Sequence, residues 1–351
     1  MVERGRGLSF LCGERCTAKS TSRTRSDTLL VTNISSDTAE FVNLPRRDGD
    51  VVLFEDFSPG KNGLSHLLSS LKERASLGRP VRLAFLGDSF IEADIFTQDV
   101  RSLLQSRYGG SGVGYVSMHS DFPGFRRSVV QSGEGWEVHS VLKPKEVDWK
   151  VMTLQQQYFV PLEGATAQYR GTTKIEHADS WALSRFVFIA RQDCTVGFKI
   201  AVGEWLVFPD AQGSAVDNIS TRGYSGLSLG ALSREKAVQM DSIVPYDAIV
   251  LQYGLNVMTP EILHYGSYAR KMTEVVLHLR ECYPHTDIIL MGVGDRSRKA
   301  NGSFVTMPAV VALSEAQRRA ARRAGVVFWD TYEAMGGHNG MRDYVANGQA
   351  N

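Results

Sequence analysis

The sequence lacks a long hydrophobic run, an excess of charge and a cysteine framework. No stretch of about 18 apolar residues occurs, so no transmembrane helix is expected. The 39 basic and 38 acidic side chains leave a formal net charge of +1, and this balance gives nucleic-acid binding no support. Four cysteines occur, and their spacing matches no zinc-binding pattern.

Several catalytic and cofactor motifs are also missing. The glycine-rich stretch "GGSGVG" at 109–114 is not G-x-G-x-x-G and follows a predicted helix rather than a strand, which argues against dinucleotide binding. The H-E-x-x-H of zinc proteases does not occur either. We therefore expect no cofactor and no metal ion.

The first 50 residues are predicted to be disordered or poorly structured. The start is basic, rich in serine and threonine, and poor in residues that build a core. Its most apolar part, "GLSFLCG", is too short and too polar for the hydrophobic region of a secretory signal. The expectation is that the true start or a signal peptide is missing from this sequence.

The rest of the chain alternates between strand-like and helix-like patterns in two parts, 51–114 and 216–351. Strands are predicted at 81–86, 247–254, 287–293 and 326–332, and helices within 54–80, 90–108, 260–284 and 307–325. This alternation predicts a parallel sheet with helices on both faces. Between the two parts, short β-branched and aromatic runs predict an inserted β-sandwich at 115–215.

A serine stands where the first predicted core strand ends, in Gly87-Asp88-Ser89. One reading is that Asp88 or Ser89 caps the following helix. The other is that Ser89 is a nucleophile, because ligands of such sheets bind beyond the carboxyl ends of the strands. The free N–H groups at a helix amino terminus can bond to a capping side chain or stabilise an oxyanion equally well. The position of Ser89 alone therefore does not decide between a cap and a nucleophile.

Two further residues favour the nucleophile. A serine nucleophile needs hydrogen-bond donors for the negative charge of the tetrahedral state. Gly226, in "RGYSGLSLG", offers a backbone N–H without a side chain, and Asn256, in "LQYGLNVM", offers an amide directly after a core strand. Taken alone, Gly226 could be a turn residue and Asn256 a strand-end cap.

The order of these blocks resembles that of the SGNH (GDSL-type) hydrolases. The matches are Gly87-Asp88-Ser89, Ser225-Gly226 and Gly254-Leu255-Asn256, and "GDSFIEADIFTQDVRSLLQSRYGGSGVGYV" resembles the bacterial peptidoglycan O-acetylesterase branch more narrowly. The resemblance implies a flavodoxin-like three-layer α/β fold with an inserted sandwich. It implies that Ser89 is the nucleophile and that the Ser89 N–H, the Gly226 N–H and the Asn256 side chain form the oxyanion hole.

The resemblance also implies a carbohydrate ester as substrate, with O-acetylated peptidoglycan foremost, and a periplasmic or cell-envelope location. One block of the family is missing, because none of the eight histidines has an aspartate three residues before it. Three explanations stay open: truncation before an Asp-x-x-His block, replacement of the base by His338, or an inactive relative.

The competing prediction is a carbohydrate-binding protein without catalysis. In that case the β-rich insert binds the sugar, and the tryptophans Trp136, Trp149, Trp181 and Trp205 supply stacking faces or pack in its core. Neither the acyl group, the sugar nor the oligomeric state follows from the sequence.

Overall fold

A computed structural model of the chain describes residues 47–48, 50–181, 183–189 and 213–348. The strands are β1 (Arg47–Asp48), β2 (Val51–Val52), β3 (Glu55–Asp56), β4 (Val81–Gly87), β5 (Val129–Ser140), β6 (Gln157–Gly171), β7 (Ser214–Ser220), β8 (Ala248–Gln252), β9 (Asp287–Met291), β10 (Ser297–Ala300), β11 (Ser303–Thr306) and β12 (Val327–Trp329). The helices are α1 (Ser65–Glu73), α2 (Ser89–Glu92), α3 (Ile95–Tyr108), α4 (Arg234–Ile243), α5 (Gly266–Cys282), α6 (Pro308–Ala324), α7 (Thr331–Ala334) and α8 (Gly340–Ala346).

The central sheet has six strands in the order β3-β12-β9-β8-β4-β7. β3 pairs antiparallel with β12, and the other neighbours are parallel. The predicted α/β fold is thus confirmed, with one antiparallel edge strand added. The sheet is the frame of the site, because the carboxyl ends of β7, β4 and β8 lie side by side.

Helices cover both faces of this sheet. In β4, Leu83 and Phe85 pack in one core cluster with α1 and α3, while Ala84 and Leu86 pack in another with α5 and α6. This division follows the alternation of side chains along a strand, and burial of both faces explains why β4 is apolar throughout. The result is a three-layer arrangement.

One predicted helix has the boundaries that its local sequence signals indicate, and another is divided in two. α6 has Pro308 in its first turn and ends at Gly325 in the left-handed conformation, as the sequence predicts. The predicted single helix at 90–108 is wrong in detail, because Asp94 adopts a left-handed φ of 62° and divides it into α2 and α3. The strand β7 is not among the predicted strands.

Part of the predicted sandwich at 115–215 falls on residues 182 and 190–212, which lie outside the described residues, as do 1–46 and 49 of the predicted amino-terminal segment. In the described part, β5 and β6 form a two-stranded antiparallel sheet. The segment between them is anchored on the α/β core, because Val141, Met152 and Leu154 are buried in the cluster that contains α5 and α6.

No helix in the described ranges is long and apolar enough to cross a membrane. Across the same part of the chain, no group of three histidine, cysteine, aspartate or glutamate side chains is arranged to hold a metal ion.

Candidate active site

Ser89 is the first residue of α2 and is half-buried at the carboxyl end of β4. Asp88 caps this helix, with its Oδ1 accepting from the Phe90 N–H at 2.9 Å. The capping interpretation and the nucleophile interpretation are therefore compatible, because Asp88 caps the helix and the Ser89 hydroxyl is not needed as a cap. Among the described residues, no hydrogen bond involves that hydroxyl.

Gly87 lets the turn sit close to the sheet. A Cβ on this residue would lie 2.3 Å from Cγ1 of Ile91 and 3.0 Å from the carbonyl oxygen of Gln252. The strand end is therefore pressed between α2 and the neighbouring β8. A larger residue would push the serine turn away from the sheet edge, so glycine is needed here for close packing.

Asn256 lies in the loop after β8 and is tied to both neighbouring loops. Its Nδ2 donates to Asp88 Oδ2 at 2.9 Å and to the carbonyl oxygen of Tyr224 at 3.0 Å. Asp88 follows β4 and Tyr224 follows β7, so this one amide joins the ends of three strands. Both of its N–H groups are used, and donation to an oxyanion requires the exposed contact with Tyr224 to open.

Gly226 sits in the loop after β7 with a left-handed φ of 80°. A Cβ there would approach Cδ2 of Tyr253 to 2.5 Å, so the Gly226 backbone lies directly against that buried ring. Its N–H donates no hydrogen bond to any other residue of the described ranges. Conformation and close packing both require glycine, and the N–H remains available for a ligand.

The buried Asp88 carboxyl has a perturbed acidity. Burial raises the pKa of Asp88 above its ordinary value, and the hydrogen bonds from the Phe90 N–H and Asn256 counteract this only in part. Protonation would convert the acceptor into a donor, and the hold on Asn256 would weaken. The position of Asn256 is thus coupled to the charge of Asp88.

A second buried carboxylate holds the turn that carries Ser89. Asp94 accepts two hydrogen bonds from Arg101, both at 2.9 Å, and one from Asn218 Nδ2 at 2.9 Å, and it also accepts from Thr97 and Ser128. Arg126 approaches Asp94 Oδ2 to 3.5 Å. The network joins α3, β7 and the insert around the end of α2.

In the described ranges, the histidines make no hydrogen bond or ion pair with the residues of this cluster. His338 is exposed, in the turn between α7 and α8. Throughout the part of the chain that the structure describes, no hydrogen bond or ion pair joins a histidine to Ser89. The structure thus brings the loops of Ser89, Gly226 and Asn256 together, and it shows no hydrogen bond between His338 and Ser89.

Two connections are absent from the sequence prediction. The bond between Asp88 and Asn256 spans 168 positions, and the bond from the insert residue Gln156 to Tyr253 spans 97. Nothing in the local pattern identifies either pair. Asp94 carried a signal, since it lies five residues after Ser89 in the stretch that resembles the esterase branch, but its partners Arg126 and Asn218 did not.

No family model and no curated protein sequence matches the chain. A solved structure of a peptidoglycan O-acetylesterase is similar to it, with 16% sequence identity and a TM-score of 0.57, over 84% of this chain and 90% of that chain. At this identity, the likeness is one of fold.

Proposed function

We propose that the protein is a serine esterase that removes O-acyl groups, foremost acetyl groups, from a carbohydrate, and that Ser89 is its nucleophile. The observation that carries the proposal is the Asn256 amide, which is held by Asp88, the residue beside Ser89, across two strand ends. The similar fold of a peptidoglycan O-acetylesterase supports peptidoglycan as the substrate and a location outside the cytoplasm.

The reaction follows from the donors around Ser89. The Ser89 oxygen attacks the acyl carbonyl carbon and loses its proton to a base, and the carbonyl oxygen becomes negative. The Ser89 N–H at the start of α2, the Gly226 N–H and Asn256 Nδ2 are proposed to stabilise that charge. The sugar leaves as an alcohol, and water then attacks the acyl-serine to release the acid.

An exposed aromatic cluster supports recognition of a sugar ring. The Arg222 guanidinium lies 4.4 and 4.8 Å from the ring centroids of Phe122 and Phe125 and pairs with Glu92 at 2.9 Å. Phe122 and Phe125 are 53% and 42% exposed, and Phe90, directly after the nucleophile, is 40% exposed. Aromatic rings can pack against the apolar face of a sugar, and a guanidinium beside them can bond to its polar groups.

The second candidate is a carbohydrate-binding protein without catalysis. The observation that favours it is the absence of a histidine contact to Ser89 among the described residues. Acetate release from O-acetylated peptidoglycan separates the two functions, and sedimentation with the same material measures binding. Binding without acetate release above the spontaneous rate, with imidazole present, would favour the second candidate.

The same assay identifies the base. We expect His338→Ala to leave acetate release unchanged and added imidazole to raise wild-type turnover, because no contact links the exposed His338 to Ser89 in the described ranges. A general base contributes about 10²- to 10⁴-fold. A loss of that size in His338→Ala, partly restored by imidazole and absent from the control His264→Ala, would instead assign the base to His338.

Asp88→Asn is expected to lower kcat about 10- to 100-fold, the equivalent of one hydrogen bond to a charged group. The new amide can still cap α2, but it no longer offers a carboxylate to Asn256. In the wild type, kcat should also fall as the pH drops through the raised pKa of Asp88. The variant should lack this part of the acid-side fall and keep only the part that protonation of the base causes in both proteins.

The control for Asp88→Asn is Asp99→Asn, which changes an exposed aspartate on α3. Both variants are compared by kcat against pH for an acetyl ester. An Asp88→Asn variant with the wild-type rate and pH profile would contradict the positioning of Asn256 by Asp88.

A further inference from the structure

Gln156 connects the insert to two loops of the candidate active site. Its Nε2 donates to the Tyr253 hydroxyl oxygen at 2.9 Å, and its Oε1 accepts from the Ser228 hydroxyl at 2.6 Å. Ser228 follows Gly226 by two residues, and Tyr253 precedes Asn256 by three. One side-chain amide therefore spans the two loops that carry the proposed oxyanion donors.

The bridge is buried and conformationally constrained. Gln156 and Tyr253 have no exposed surface, and Gln156 adopts a left-handed φ of 56°. Its backbone is fixed as well, with the N–H donating to the carbonyl of Thr153 at 2.9 Å and the carbonyl accepting from Val141 at 3.1 Å. A non-glycine residue in this conformation is uncommon and needs support from its surroundings.

The Tyr253 ring transmits the constraint to Gly226. Since a Cβ on Gly226 would lie 2.5 Å from the ring, the glycine backbone rests on it without a gap. The other end of Tyr253 is also held, because its carbonyl accepts from Gln317 at 2.6 Å. Burial raises the pKa of the Tyr253 phenol far above its ordinary value, so the hydroxyl stays neutral and keeps its place in the bridge.

We propose that Gln156 is a positioning residue that sets the spacing between the Gly226 N–H and the Asn256 amide. The insert thereby supports the oxyanion hole in addition to any contact it makes with sugar. This inference rests on the proposed esterase function. Preorganised donors need a geometry held within about 0.5 Å, and a buried amide with both ends bonded supplies that precision.

The test is Gln156→Met, which keeps the length of the side chain and removes both hydrogen bonds. Gln155→Met is the matched control, because the Gln155 side chain bonds to Thr153 within the same segment. We expect Gln156→Met to lower kcat for an acetyl ester about 10- to 100-fold, with KM within about twofold, and Gln155→Met to keep the wild-type kcat.

Two further variants cover the case in which Gln156→Met does not fold. Ser228→Ala and Tyr253→Phe each remove one end of the bridge, and each should lower kcat with little change in KM. A readout independent of activity is a crystal structure of whichever variant folds, in which the distance between Gly226 N and Asn256 Nδ2 should change by about 0.5 Å or more.

Wild-type kcat in every folded variant would overturn the positioning role while leaving the esterase function intact. An unchanged distance between the two donors would overturn it even if the wild-type protein were inactive. An inactive wild type with a changed distance in the variant would keep the positioning role and refute the esterase function alone.

Discussion

Ser89→Ala is expected to lower the turnover of an acetyl ester by about 10³-fold or more, with the protein still folded. The nucleophile is lost, and what remains is the contribution of binding and of the oxyanion donors. Folding should change little, because no described residue bonds to the hydroxyl and Asp88, not Ser89, caps α2. The measurement is acetate release from O-acetylated peptidoglycan, with imidazole in the buffer for every variant.

Ser69→Ala is the control for this substitution. Ser69 is an exposed serine on α1, and α1 packs on the face of the sheet opposite α5. Its acetate release should equal that of the wild type. A Ser89→Ala variant within a few-fold of the wild-type rate would remove Ser89 from the mechanism.

Asp94→Asn is expected to lower the free energy of unfolding by about 3–5 kcal/mol, the cost of breaking a buried ion pair by removing one partner. The substitution leaves Arg101, which is 2% exposed, and the largely buried Arg126 without their shared carboxylate. Urea unfolding measures the change, and Asp99→Asn on the exposed face of α3 should stay within about 0.5 kcal/mol of the wild type.

The pH dependence gives Asp94→Asn a second signature. Burial alone would raise the pKa of Asp94, but Arg126 and Arg101 outweigh it and hold the pKa below its ordinary value of 3.8. A carboxyl group whose pKa is lower in the folded state than in the unfolded state stabilises the fold fully at a pH above its unfolded-state pKa. This contribution is lost as the pH falls below that pKa. The difference in the free energy of unfolding between wild type and variant should therefore be full at pH 7 and decrease below about pH 4. A constant difference across this range would contradict the ion-pair origin.

The sequence predicted the strands β4, β8, β9 and β12, because each is a short apolar run with its own turn signals. It did not predict β7, whose sequence "SAVDNIS" contains an aspartate and an asparagine. Both are buried by distant partners, since Asp217 bonds to Arg82 and Tyr246, and Asn218 bonds to Asp94. A buried polar residue with a remote partner looks in a sequence like a residue of a loop.

The candidate site, too, was predictable from the sequence only in part. Ser89, Gly226 and Asn256 stand at strand ends, and the parallel sheet brings those ends to one edge. Their connections do not follow from strand ends: Gln156 reaches its partners from a segment of the insert. Side-chain contacts of this kind depend on packing between elements, which local patterns do not encode.

Covalent labelling tests whether Ser89 is the nucleophile. The wild-type protein is treated with a fluorophosphonate probe in the presence of imidazole, and the labelled residue is identified by peptide mass spectrometry. We expect a label on Ser89 that is lost in Ser89→Ala and kept in Ser69→Ala. An unlabelled Ser89, or a label that persists in Ser89→Ala, would contradict this assignment.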